Sequence, residues 1–167
     1  GLMEHNHYDR YNGRVNLTTE LAKNLTLTTR LGGVVSKRSE PSTPGGMDSA
    51  GFKAFSSNAL RFPGLWATKL EDGSYGLGPK VLGTPLAWLD SGSFYDENFD
   101  KFRSNVELAF TPVKGLTLKA IGGYNYTGQQ IRHYRSAMEI TGGKKLGPSS
   151  LSDTMYKTVY KTFQALA

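Results

Sequence analysis

The sequence predicts an all-β fold, mostly antiparallel, on three observations. Apolar and polar residues alternate with a period of two in two pairs of runs. Each pair is joined by a short turn. The composition, with 20 glycines, 9 tyrosines and 8 phenylalanines among 167 residues, favours strands and turns over helices. A chain of this length ordinarily forms one domain with a usable core.

In the first run Val15, Leu17 and Leu21 alternate with Asn16, Thr18 and Glu20, predicting a strand over 10–22. Ala22-Lys23-Asn24 breaks the run. Leu25, Leu27 and Leu31 then alternate with Thr26, Thr28 and Arg30, and the return strand continues through Gly32-Gly33-Val34-Val35 to 37. The two make a hairpin over 10–37. A short helix is expected near 52–61. Further on, Phe102, Val106, Leu108 and Phe110 alternate with Arg103, Asn105 and Glu107 until Thr111-Pro112-Val113-Lys114-Gly115 supplies a turn. Leu116-Thr117-Leu118-Lys119-Ala120 opens the return strand, giving a second hairpin over 99–134. A further strand is expected to begin at 154 and run to 167.

Each hairpin has a short turn at one end and a long excursion at the other, a loop over 39–97 and another over 136–153. Loops of that length are uncommon in compact domains and usually functional. Short turns on one side and long loops on the other is the plan of outer-membrane barrels. The fold class expected is therefore β-hairpins of a transmembrane β-barrel wall, joined by a long external loop with a short helix. Tyr8, Tyr11, Phe99, Phe102, Tyr124 and Tyr126 lie toward the long-loop ends, where they form an interfacial girdle or pack a soluble sheet. Thr18, Glu20, Thr28, Arg30, Arg103, Asn105, Glu107, Thr117 and Lys119 make a polar face that suits a wet lumen or an exposed sheet.

Several classes drop out. Without cysteine there is no disulfide framework, thiolate nucleophile or cysteine-ligated metal. No stretch approaches the ~20 consecutive apolar residues of a spanning helix, whereas a barrel strand needs only ~9–11. The start lacks the plan of a signal peptide and the chain stops inside a strand-like run, so it reads as an internal segment. Lys and Arg are spread along the chain, so the net charge of +6 is read as a solvated surface with no nucleic-acid partner. Glu4, His5, His7 and Asp9 mimic a metal cluster but fit a solvated strand end better, and no metal or cofactor is expected. The glycines at 73, 76, 78 and 83 match neither a P-loop nor a dinucleotide fingerprint. No nucleophile-elbow sequence supports a Ser-His-Asp arrangement, and no enzyme activity is expected.

Tyr8-Asp9-Arg10-Tyr11-Asn12, followed by Arg14-Val15-Asn16-Leu17 and then Leu25-Thr26-Leu27-Thr28, resembles strands of SusC-like (RagA-like) TonB-dependent outer-membrane transporters. The same order continues in Phe52-Lys53-Ala54-Phe55 through Pro63, Glu71-Asp72-Gly73-Ser74-Tyr75, Thr84-Pro85-Leu86-Ala87-Trp88-Leu89 and Gly115-Leu116-Thr117-Leu118-Lys119. The order and spacing of these segments carry the resemblance over 8 to about 130. Thr84 stands where the family commonly has asparagine, and Leu65-Trp66 where it often repeats prolines. The plug and the TonB-contacting segment of such transporters have no counterpart here.

The resemblance implies a bacterial outer-membrane location, import of glycans or other large nutrients, and dependence on TonB and a SusD-like lipoprotein. An oligosaccharide or peptide would be the ligand and membrane lipid the neighbour. Trp66, Tyr75, Trp88, Phe94 and Tyr95 are the candidate substrate-binding residues, since flat aromatic faces match pyranose C–H faces; alternatively they anchor the loop's own small core. A soluble β-rich ligand-binding or surface-adhesion domain is the competing reading. On the barrel reading the isolated chain is expected to self-associate.

Overall fold

A computed structural model describes residues 5–45, 51–78 and 83–167. The fold is all-β and mostly antiparallel. In chain order the elements are β1 (His7–Ala22), β2 (Leu25–Pro41), α1 (Gly51–Arg61), α2 (Pro85–Asp90), β3 (Phe94–Val113), β4 (Leu116–Arg135), β5 (Met138–Ile140), β6 (Lys144–Leu146) and β7 (Ser150–Leu166). The long strands form one sheet in the order β1-β2-β3-β4-β7, and β5 pairs with β6 alone. Each strand of the large sheet therefore lies beside its nearest long neighbour in sequence.

The turns explain the pairing. Lys23 and Asn24 link β1 to β2, and the Asn24 carbonyl accepts the Thr111 amide at 2.8 Å, which ties that turn to β3. Lys114 and Gly115 link β3 to β4. Gly115 has φ +93°, where a side chain would be strained. Strands outrun the apolar alternation: β2 continues to Pro41 and β3 starts at Phe94. Polar pairs sustain the ladder there. Ser39 Oγ donates to Asp96 Oδ1 at 2.6 Å, and Arg38 pairs with Glu40 at 2.6 Å and Glu97 at 3.7 Å.

The chain divides into two compact units. The first comprises Arg10–Ser36, Asn98–Gln130 and Met155–Ala167, and is sheet throughout. Its large apolar side chains are not buried: Val15 and Leu17 are each 59% exposed, and Leu108 is 38% exposed.

The second unit comprises Gly1–Asp9, Lys37–Glu97 and Ile131–Thr154 and holds the buried apolar residues Ala87, Trp88, Ile140 and Leu146. A second helix, α2, joins the one expected. Thr84 starts it from an extended conformation, its Oγ1 accepting the Ala87 amide at 3.2 Å, and Pro85 follows in the first turn. Trp88 is thereby carried onto the β5–β6 hairpin, whose register pairs Met138 with Leu146 and Ile140 with Lys144. A Cβ built on Gly83 would lie 3.5 Å from Trp88 Nε1, 3.6 Å from Leu146 Cδ1 and 3.7 Å from Ile140 Cγ2, which locates the centre of this small core. Helix α1 packs on α2.

Candidate functional site

The sheet of the first unit has two chemically opposite faces. On one, Phe102 and Tyr124 touch with ring centroids 6.4 Å apart, and Leu108, Phe110, Leu118 and Ala120 line a shallow apolar depression. On the other, Thr18 and Thr28 are 3.4 Å apart, and Thr111 and Thr117 are 3.2 Å apart. Glu107 on this face takes Lys119 Nζ at 3.1 Å and Arg30 Nη1 at 3.5 Å, while Arg30 also donates to Asn105 Oδ1 at 3.3 Å. Such ladders of polar cross-strand pairs are what a water-facing sheet surface forms.

Toward the other end of that polar face lie two adjoining hollows, of about 540 and 430 Å³. Arg10, Arg14, Lys101 and Arg103 line the larger, with Phe99 beside them. Phe99 thus parts company with Phe102 and Tyr124, so the aromatics expected to form a single girdle occupy both faces.

The second unit contains two features of its own. A groove of about 530 Å³ is bounded by Trp66, Ala67, Leu70, Leu77 and Thr141 and is predominantly apolar. Close backbone approach shapes it: a Cβ on Gly76 would come within 2.3 Å of the Ala67 carbonyl oxygen. The second feature is a partly buried polar cluster. Arg38 lies over the Tyr95 ring at 5.9 Å, Tyr95 meets the His133 ring edge-on at 5.6 Å, and Ser42 Oγ lies 2.5 Å from His133 Nε2. Burial holds the Tyr95 hydroxyl above its usual range, reinforced by Glu97. Burial also lowers the His133 pKa, and the nearby Arg135 charge adds to it.

The five candidate substrate-binding aromatics do not converge. Trp66, 49% exposed, lies on the apolar groove and stacks edge-on with Phe62 at 6.2 Å. Trp88 is 5% exposed and packs the core, so it presents no face to a ligand. Tyr75 is fixed by donating its hydroxyl to Asp90 at 2.7 Å, which raises its pKa, and Lys69 sits over its ring at 5.3 Å. Phe94 packs on Tyr134 at 5.6 Å, and Tyr95 belongs to the polar cluster. Anchoring of the loop's own structure is what Trp88, Tyr75 and Phe94 visibly do.

Ser42 and His133, far apart in the chain, invite comparison with a nucleophile and its base. Ser42 is only 4% exposed, and Arg135 Nε shares the same ring nitrogen at 3.4 Å. The contact fastens the end of β2 to β4. Near the start, His7 Nε2 lies 2.6 Å from Asp9 Oδ2, while Glu4 falls outside the described residues. Among the described residues no three histidine or carboxylate side chains gather as a metal site, and no helix is long and apolar enough to cross a membrane.

The chain matches no protein-family model and no curated protein.

Proposed function

We propose that this chain forms part of the wall and loops of a SusC-like, TonB-dependent transporter of the bacterial outer membrane, importing an oligosaccharide or another large nutrient with a SusD-like partner. The observation that carries the reading is the sheet's division into an apolar face of Val15, Leu17, Val106, Leu108, Leu116 and Leu118, left exposed, and a polar face knitted by Arg30, Glu107 and Lys119. A sheet in water normally buries its apolar face against a second layer. In a barrel wall that face meets lipid and the polar face lines a wet interior. Strands of 16 to 20 residues exceed the ~9–11 needed to cross a bilayer, so they project beyond it. On this reading the chain performs transport and no catalysis.

The native absence of cysteine makes the test direct. Single cysteines carrying nitroxide labels at Val15, Leu17, Val106 and Leu118, and at Asn16, Thr18, Asn105 and Lys119, are introduced into this chain as part of a closed barrel reconstituted in lipid bilayers. Collisions with oxygen, which concentrates in lipid, should dominate in the first set, and collisions with a water-soluble nickel chelate in the second. Equal water access to both sets would overturn the proposal and favour a soluble ligand-binding or adhesion domain.

A further inference from the structure

We infer that the polar face of the sheet is a binding surface for an anionic ligand, an oligosaccharide bearing carboxylate or sulfate groups. The inference deepens the transporter reading and rests on it for the placing of this face in a wet interior. In sequence the cations look dispersed. Strand pairing brings Arg10 and Arg14 of β1, Arg30 of β2, and Lys101 and Arg103 of β3 onto one surface of two adjoining hollows that share Arg14 and Arg103.

Most cations of this surface lack balancing charge among the described residues. None of the residues lining either hollow is a carboxylate. Among the described residues, Arg10, Arg14, Lys101 and Arg103 make no ion pair, and the nearby Glu107 already serves Arg30 and Lys119. Asp100, next to Lys101 in sequence, is engaged by the Tyr126 hydroxyl. Clustered like charges repel, and they hold together at least cost when an anion neutralises them. Guanidinium groups, moreover, bind carboxylate and sulfate oxygens through paired N–H donors, which gives geometric selection as well as attraction.

The surface also has a shape that suits a ligand. Gly32 forms the floor common to both hollows. Its backbone is ordinary extended strand, and a Cβ there would meet only the Gly13 carbonyl oxygen, at 3.9 Å. Neither conformation nor crowding demands glycine at this point, and glycine inside a strand weakens it. A bare floor flanked by arginines is what a ligand lying close to the sheet needs. Around it, Asn16, Asn105, Asn125 and Thr162 offer hydrogen bonds suited to sugar hydroxyls, and Phe99 offers a flat apolar face.

The test is titration calorimetry of the full 167-residue chain in detergent micelles, with hexagalacturonate as the charged probe and maltohexaose as a neutral one of equal length. The charged probe should bind about tenfold or more tightly, with an affinity that falls as salt rises. Arg14→Gln and Arg103→Gln should each weaken it by about tenfold, while Lys157→Gln, which removes a cation beside Tyr126 on the opposite face, should not. Gly32→Val raises strand propensity and fills the floor, so it should weaken binding in a chain at least as well folded. Equal affinity for the two probes, or equal losses from Arg14→Gln and Lys157→Gln, would overturn the inference. Those results leave the alternation of lipid and water access along the strands untouched, so the two readings fail separately.

Discussion

Ser42 Oγ and His133 Nε2 stand 2.5 Å apart, closing a polar cluster that also contains Arg38, Glu40, Tyr95 and Glu97. The contact has a pH dependence whose sign follows from the burial of the ring. Because burial and Arg135 lower the His133 pKa below the ordinary 6.5, the unfolded chain binds this proton more readily than the folded one. The stabilisation is thus fully present above pH 6.5 and is lost as pH falls through the lowered folded value. Ring-carbon shifts of His133 should titrate below those of a free histidine, and amide exchange at Ser42 should quicken over the same interval. A ring titrating at or above the free value would refute the account.

Thr84 offers a test of the loop core. Its hydroxyl caps α2 through the Ala87 amide, donates to the Thr68 carbonyl at 3.3 Å, and is fully buried. Thr84→Ala should therefore cost about 1–2 kcal/mol, read as faster exchange of the Ala87 and Trp88 amides. Thr84→Ser should restore most of the protection. No difference between the two variants would mean that the cap contributes nothing to holding Trp88.

How much of this was legible in sequence differs between sheet and loops. Both hairpins were, because Val15-Leu17 and Leu116-Leu118 alternate over enough residues for a period of two to stand out. Helix α2 was not, since the six residues of Pro85–Asp90 are too few to display a helical period. The β5–β6 hairpin escaped for the same reason, although Gly142-Gly143 between Ile140 and Lys144 was a usable turn signal. Residue type and position in the 39–97 loop mark the five aromatics, and neither separates the buried Trp88 from the exposed Trp66. The cationic surface is not legible in sequence, because Arg14 and Arg103 are distant in the chain and become neighbours only through strand pairing.

The two faces of β2 can be compared at adjacent positions. Leu27 shares the apolar surface, while Thr28 faces Thr18 across the hairpin. In a full barrel set in lipid, Leu27→Arg should cost about 2–4 kcal/mol, and Thr28→Arg distinctly less because its charge enters water. Reversible unfolding from phospholipid vesicles measures both. A larger cost for Thr28→Arg would invert the assignment of the faces.

The sheet's two outer strands set the last expectation. β1 and β7 lie at the edges of the large sheet, with 16 and 17 residues, and each turns a row of backbone amides and carbonyls away from its one partner. Inside a bilayer such rows must be paired, and five strands are fewer than the ~8 of the smallest membrane barrels. In water the same edges invite strand addition, and the exposed Val15, Leu17, Val106 and Leu118 form a surface that favours association. The 167-residue chain alone, at micromolar concentration without detergent, should therefore scatter light as a dimer or larger assembly. Replacing Leu17 and Leu118 together by lysine should reduce the association if apolar faces meet, whereas proline at Val159 in β7 should reduce it if edges pair. A monomer that keeps Leu17 and Leu118 exposed would show that this surface tolerates water without a neighbour, and the lipid-facing assignment would fall with it.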